Sequence, residues 1–178
     1  GTQVILAERH DIPVVQFSYE FPGGFTADQG RKSGTANFTM GLLTEGAGKL
    51  GALPFADAAD ALGAKLDASA SLDSTSVYLS ALKENLAPSL ALYADMLRQP
   101  RFDQTEIDRV KATWIAGIQQ EKVNPSAVAM RVMPTLLYGA GHPYAIPFTG
   151  SGNEVDIQSM TREDLVDFHR DWLRPEQG

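Results

Sequence analysis

The chain contains no cysteine, which excludes disulfide bonds, thiolate nucleophiles and zinc–thiolate centres outright. Histidine is almost as scarce. Only His10, His142 and His169 are present, and none stands at helical spacing from a second histidine or a carboxylate on a shared face, as a metal-binding helix requires. His10 falls at the end of a strand, His142 sits in the loop Gly139-Ala-Gly-His-Pro-Tyr144, and His169 lies late in the last helix, where the dipole favours a basic residue. Clustered Lys and Arg are also missing. A net charge of -7 argues against a nucleic-acid partner, since phosphate neutralisation needs a basic patch. No apolar run approaches the roughly 18 residues of a membrane-spanning helix, and no basic, apolar and small-residue leader stands at the start. The opening Gly1-Thr2, followed at once by Val4-Ile5-Leu6, reads as a piece cut from a longer polypeptide.

What is present is ordinary for a folded domain: 178 residues, 43% hydrophobic and 21% charged, enough for one substantial core. Residues 3–8 and 14–21 read as strands, the second alternating Val15, Phe17, Tyr19 and Phe21 with polar neighbours. Residues 26–33 form a loop into a helix over 34–44, which Gly46 and Gly48 stop, and a second helix covers 54–63. Two alternating runs around 65–72 and 76–81, joined at Leu72-Asp73-Ser74, predict an antiparallel hairpin. Four helical stripes follow. Leu86, Leu90, Tyr93 and Leu97 make the first. Ile107, Val110, Trp114 and Ile118 make the second, behind an Asp103-x-x-Glu106 capping box. Val128, Val132 and Leu136 share a face after Pro125, and Leu165, Phe168 and Trp172 follow a box-like Thr161-x-x-Asp164. Grouped strands followed by helices predict an α+β two-layer sandwich, a mainly antiparallel sheet packed against helices, with residues 1–178 as a single domain.

Other catalytic patterns fail on inspection. Gly150-Ser151-Gly152 lacks the frame of a nucleophile elbow, Gly139 to Gly141 lacks the Lys and hydroxyl of a phosphate loop, and the carboxylates fall mostly on solvated helix faces.

Several phrases in order carry a resemblance. They are Val4-Ile-Leu-Ala-Glu-Arg-His-Asp11 before Pro13-Val-Val15, Phe21-Pro-Gly-Gly24 followed by Asp28, Gly34-Thr-Ala36, and Leu43-Thr-Glu-Gly46. Later come Leu62-Gly-Ala64, Gln119-Gln-Glu-Lys-Val-Asn-Pro125, Tyr138-Gly139 with His142-Pro-Tyr144, and Thr161-Arg-Glu-Asp-Leu165. Together they resemble the insulinase/pitrilysin family of zinc metallopeptidases over nearly the whole length. Active members carry G-x-A-H-x-x-E-H on the first helix, two His for zinc and a Glu that activates water, with a further Glu ligand on a later helix. The same frame here reads Gly34-Thr-Ala-Asn37-Phe-Thr-Met40-Gly41, and anchoring on Ile118 and Pro125 places Ala116 and Gly117 at the later acidic positions. The resemblance therefore implies that Asn37, Met40, Gly41 and Gly117 stand where the ligands and base would be, and that this chain holds no metal, cofactor or catalytic residue of its own. Glu121, a turn beyond Gly117, would hold zinc poorly without imidazole partners.

The resemblance further implies a non-catalytic domain that forms part of a peptide-binding chamber. Its partners would be a catalytic insulinase-like domain or subunit, which carries the zinc, and the peptide substrate, in a periplasmic or secreted setting. The exposed faces of the 65–82 strand pair are candidate peptide contacts, because peptides add to sheet edges. The alternative is a structural or assembly module of the same fold with no role in proteolysis.

Overall fold

The structure is a computed structural model that describes residues 3–178, so the opening Gly1-Thr2 lies outside it. Strand β1 (Val14–Pro22) pairs antiparallel with β5 (Ser74–Leu82), which pairs antiparallel with β4 (Lys65–Ala70), giving the order β1-β5-β4. The β4–β5 hairpin closes where Ser71 N–H donates to the Ser74 carbonyl at 2.7 Å. Along β5 every second residue is buried, with Thr75, Val77, Leu79 and Ala81 on the core side, the period-2 pattern of a half-covered sheet.

Helices supply the second layer. Helices α1 (Thr35–Leu42) and α2 (Ala52–Ala61) lie against β4, and α3 (Leu86–Arg98) lies against β5. A short antiparallel pair, β2 (Gly46–Ala47) with β3 (Leu50–Gly51), links α1 to α2. The chain continues through α4 (Gln104–Lys122), α5 (Pro125–Tyr138), α6 (Glu154–Ser159) and α7 (Arg162–Trp172). Phe21, Phe38, Met40, Leu42, Leu79 and Phe168 are among the fully buried side chains where the layers meet. The α+β two-layer expectation stands.

Four expectations need correction. Residues 3–8 form no strand: Val4, Ile5 and Leu6 are 77 to 85% exposed, and among the described residues β1 pairs with β5 alone. Strand propensity alone does not make a strand: residues 3–8 pair with none of the described strands, and their exposed backbone is left to water. Asp103 caps no helix through its side chain, because Arg101 takes that carboxylate at 2.7 and 3.3 Å. The stripe on α5 faces solvent, Val132 being 51% and Leu136 79% exposed, while Arg131 and Pro134 turn inward. His169 is a neutral tether rather than a charged partner of the dipole. Its Nε2–H donates to the Leu97 carbonyl at 2.7 Å, and burial holds its pKa below the usual imidazole range. By contrast, the Thr161/Asp164 capping box at α7 is complete.

Candidate functional site

The start of α1 is fixed from below. Asp28, buried in a 3-10 turn, accepts the Gly34 N–H at 2.7 Å and the Ala36 N–H at 2.9 Å, so its carboxylate occupies the positive end of the helix. Burial pushes its pKa up to about 6, against the pull of those two N–H groups and Arg31. An acid with a raised folded-state value binds a proton in the folded state that the unfolded chain has lost. Stability from this group is therefore greatest below about pH 4 and is lost as pH rises to about 6, by about 3 kcal/mol in total. The stability difference between wild type and Asp28→Asn should shift by about that amount in favour of Asn between about pH 4 and pH 7. A difference that stays flat across that range would contradict the assignment.

With α1 so anchored, Asn37 and Gly41 lie on the side that meets α4. The two helices bring Asn37, Gly117 and Glu121 to one groove of about 330 Å³, roofed by Thr149 and Ser151. Gly41 sits beneath the indole of Trp114: a Cβ built there would lie 3.4 Å from the Trp114 ring. Met40 is absent from the groove and fully buried in the core, where its flexible thioether fills space. Two of the four positions identified by resemblance, Asn37 and Gly117, thus line the groove, Gly41 lies behind its Trp114 wall, and Met40 packs inside.

Trp114 fastens α1 to α4 and to the roof. Its ring meets Phe38 edge-to-face with centroids 5.3 Å apart, and its indole N–H donates to the Ser151 carbonyl at 2.9 Å. Beside it, Arg131 reaches back from α5 into the same wall. Its guanidinium donates to Glu121 Oε2 at 2.7 Å, to Ser151 Oγ at 2.7 Å and to the Gly152 carbonyl at 2.6 Å. Ser151 Oγ–H in turn donates to Glu121 Oε2 at 2.8 Å. Glu121 is therefore committed to a cation and a hydroxyl, which leaves it poorly placed to act as a base or ligand. Ser151 has a carboxylate beside it with no imidazole to take its proton, so the cluster is not a nucleophile and base pair.

Sequence reasoning read Trp114 only as a member of an apolar stripe and did not find Arg131 or the Ser151 role. One signal was available: between Lys122 and Glu154, Arg131 is the only Asp, Glu, Lys or Arg. A lone charge in such a stretch has to turn toward a partner. The remaining histidines lie apart from the groove. His10 pairs with Glu8 at 3.6 Å on the surface, and His142 stacks on Tyr138 at 5.0 Å while its Nδ1 accepts the Tyr144 N–H. Among the described residues, no three His, Asp or Glu side chains gather in a way that could hold a metal ion.

Residues 3–142 match the sequence profile of Insulinase (Peptidase family M16). The chain belongs to the insulinase family. Insulinase-family relatives include the "Non-peptidase homolog YmxG" of Helicobacter pylori, 26% identical over 91% of this chain and 37% of that protein. The beta subunit of the mitochondrial-processing peptidase of Rattus norvegicus is 23% identical over 92% of this chain and 33% of its own length. Among solved structures, the peptidase M16 inactive domain from Pseudomonas fluorescens superposes with a TM-score of 0.85 at 28% identity, covering 92% of this chain and 39% of that one. The chain thus spans between a third and two-fifths of the length of these insulinase-family relatives. No helix among the described residues is long and apolar enough to cross a membrane.

Proposed function

We propose that this chain is a non-catalytic insulinase-family domain that forms part of a peptide-holding chamber and supports zinc-dependent cleavage by a catalytic half or partner subunit. One observation carries the reading. The family fold is retained while the four positions that the resemblance assigns to ligands and base hold Asn37, Met40, Gly41 and Gly117, none of which offers an imidazole or a carboxylate. The groove between α1 and α4 is walled by an indole and an ion pair, which supports a structural role for it over a metal-binding one.

Two further features support a place in a chamber wall. The outer edge of β4 has no partner among the described residues, leaving backbone donors and acceptors on which an extended peptide can add as a further strand. Its exposed Lys65, Asp67 and Ser69 discourage unspecific pairing along that edge. Zinc belongs, in this proposal, to the catalytic half, and a periplasmic or secreted setting goes with it.

Co-expression tests the proposal. The gene carrying this chain, or a neighbour, should encode an intact H-x-x-E-H with a downstream Glu. That catalytic partner should cleave a fluorogenic peptide at least about tenfold faster with this chain present than alone, a change of about 1.4 kcal/mol in the barrier. Stable assembly with no change in cleavage would contradict it and favour a purely structural module.

A further inference from the structure

Helix α5 is an apolar helix turned inside out. Its single charged side chain, Arg131, is spent on the groove wall, while Val128, Met130, Val132, Met133, Leu136 and Leu137 are all exposed. Their exposed parts sum to roughly 600 Å², the upper end of what monomers leave bare and close to one partner's share of a small stable interface. The charge pattern agrees. Apart from Arg131, no Asp, Glu, Lys or Arg interrupts the chain from Lys122 to Glu154, although charged residues make up 21% of the whole. Charge depletion at the centre of an exposed patch is the compositional mark of an interface.

The order of side-chain sizes says what covers it. The outermost line of the helix, at i, i+3, i+4 and i+7, is Ala129, Val132, Met133 and Leu136. It runs from small at the N-terminal end, with Ser126 nearby, to large at the C-terminal end, with Leu137 nearby. A second copy laid antiparallel about a twofold axis between Val132 and Met133 sets Leu136 of each copy against Ala129 of the other. Val132 and Met133 then meet at the centre. Bulk meets gap at both ends, as an isologous interface requires, and no like charges are brought together.

The geometry points to a homodimer in which two copies of this chain pair through antiparallel α5 helices, with Ala129 receiving the partner's Leu136. This assignment does not depend on the proposed role in proteolysis. The α4–α5 turn that presents the helix is well fixed: Asn124 Oδ1 accepts the Ser126 N–H at 3.0 Å and the Ala127 N–H at 3.3 Å, and Pro125 occupies the first turn.

Sedimentation equilibrium of the chain should show a reversible dimer in the micromolar range, and Leu136→Glu, a change at a solvent-facing position, should leave a folded monomer. The absence of native cysteine makes cross-linking clean. Val132→Cys should form a disulfide-linked dimer on mild oxidation, while Val155→Cys on α6, more accessible at 77% exposure against 51%, should not. Ala129→Leu separates specific pairing from mere stickiness. It adds apolar surface yet fills the gap that receives Leu136, so the dimer should weaken at least tenfold. A chain that stays monomeric at about 100 µM would overturn the inference and leave the face to a different partner. Stronger association of Ala129→Leu, or equal cross-linking of the two cysteine variants, would overturn it as well.

Discussion

Gly152→Ala should lower stability by more than about 4 kcal/mol, among the largest effects of any single methyl group in this chain. Gly152 has φ +70, where a residue with a Cβ carries a cost of about 1–2 kcal/mol on its own. The larger part is contact. A Cβ at this position would lie 2.2 Å from the Ser33 carbonyl oxygen, 2.6 Å from its carbon and 2.8 Å from the Gly34 Cα, all of them backbone atoms that no rotamer change can move. Relief requires the 149–152 roof to lift from the start of α1. Lifting would pull away the Ser151 carbonyl that receives the Trp114 N–H and the Gly152 carbonyl that receives Arg131. Denaturant unfolding monitored by tryptophan fluorescence reports both the loss of stability and the disturbed indole. A cost within about 1 kcal/mol would show that the roof is not clamped as described.

The second large effect belongs to Arg131. Arg131→Met keeps most of the volume and removes the hydrogen bonds to Glu121, Thr149, Ser151 and the Gly152 carbonyl, leaving Glu121 and that carbonyl without a cation in a partly buried wall. Removing one partner of such a pair costs more than the pair itself contributes, and about 2–3 kcal/mol is expected for a pair that retains some solvent contact. Replacing both partners, as Arg131→Met with Glu121→Leu, should recover at least about 1 kcal/mol of that loss, since no uncompensated charge remains. Strictly additive losses would mean that the two side chains do not depend on each other.

These two changes lie in parts of the chain that the sequence pattern described least well. The sheet was legible because period-2 alternation in residues 65–82 reflects one covered face, and β4 and β5 occur where that alternation runs. The first and last helices were legible from local chemistry, glycine after α1 and a complete Thr161/Asp164 box before α7. Periodicity cannot say which way a face points. On α5 it correctly grouped Val128, Val132 and Leu136, yet the side that packs is the one with Arg131 and Pro134. That outcome depends on a partner for the charge, Glu121, across a turn and on another helix. The strand expected at residues 3–8 is absent although the outer edges of β1 and β4 are both unpaired among the described residues, so strand propensity beside an open edge does not by itself make a strand.

The site was legible position by position and not as an object. Family resemblance singled out Asn37, Met40, Gly41 and Gly117 as substitutions along two helices. The meeting of Asn37 and Gly117 at one groove, and the burial of Met40, are three-dimensional facts. So is the set of side-chain ties between the walls. Trp114 reaches over Gly41, stands edge-on to Phe38 and donates to Ser151, and Glu121 is held by Arg131. No single-residue pattern announces such an arrangement, because each member is explained locally as core or as surface charge.

The central claim is that the groove between α1 and α4 carries no metal chemistry, and zinc stoichiometry tests it most directly. The purified chain, dialysed against micromolar zinc and then against metal-free buffer, should retain less than about 0.1 zinc per molecule and should cleave no peptide, since a site without imidazole or a free carboxylate has nothing to hold the ion. Retention of about one zinc per chain, abolished by Asn37→Ala or Glu121→Ala, would contradict it.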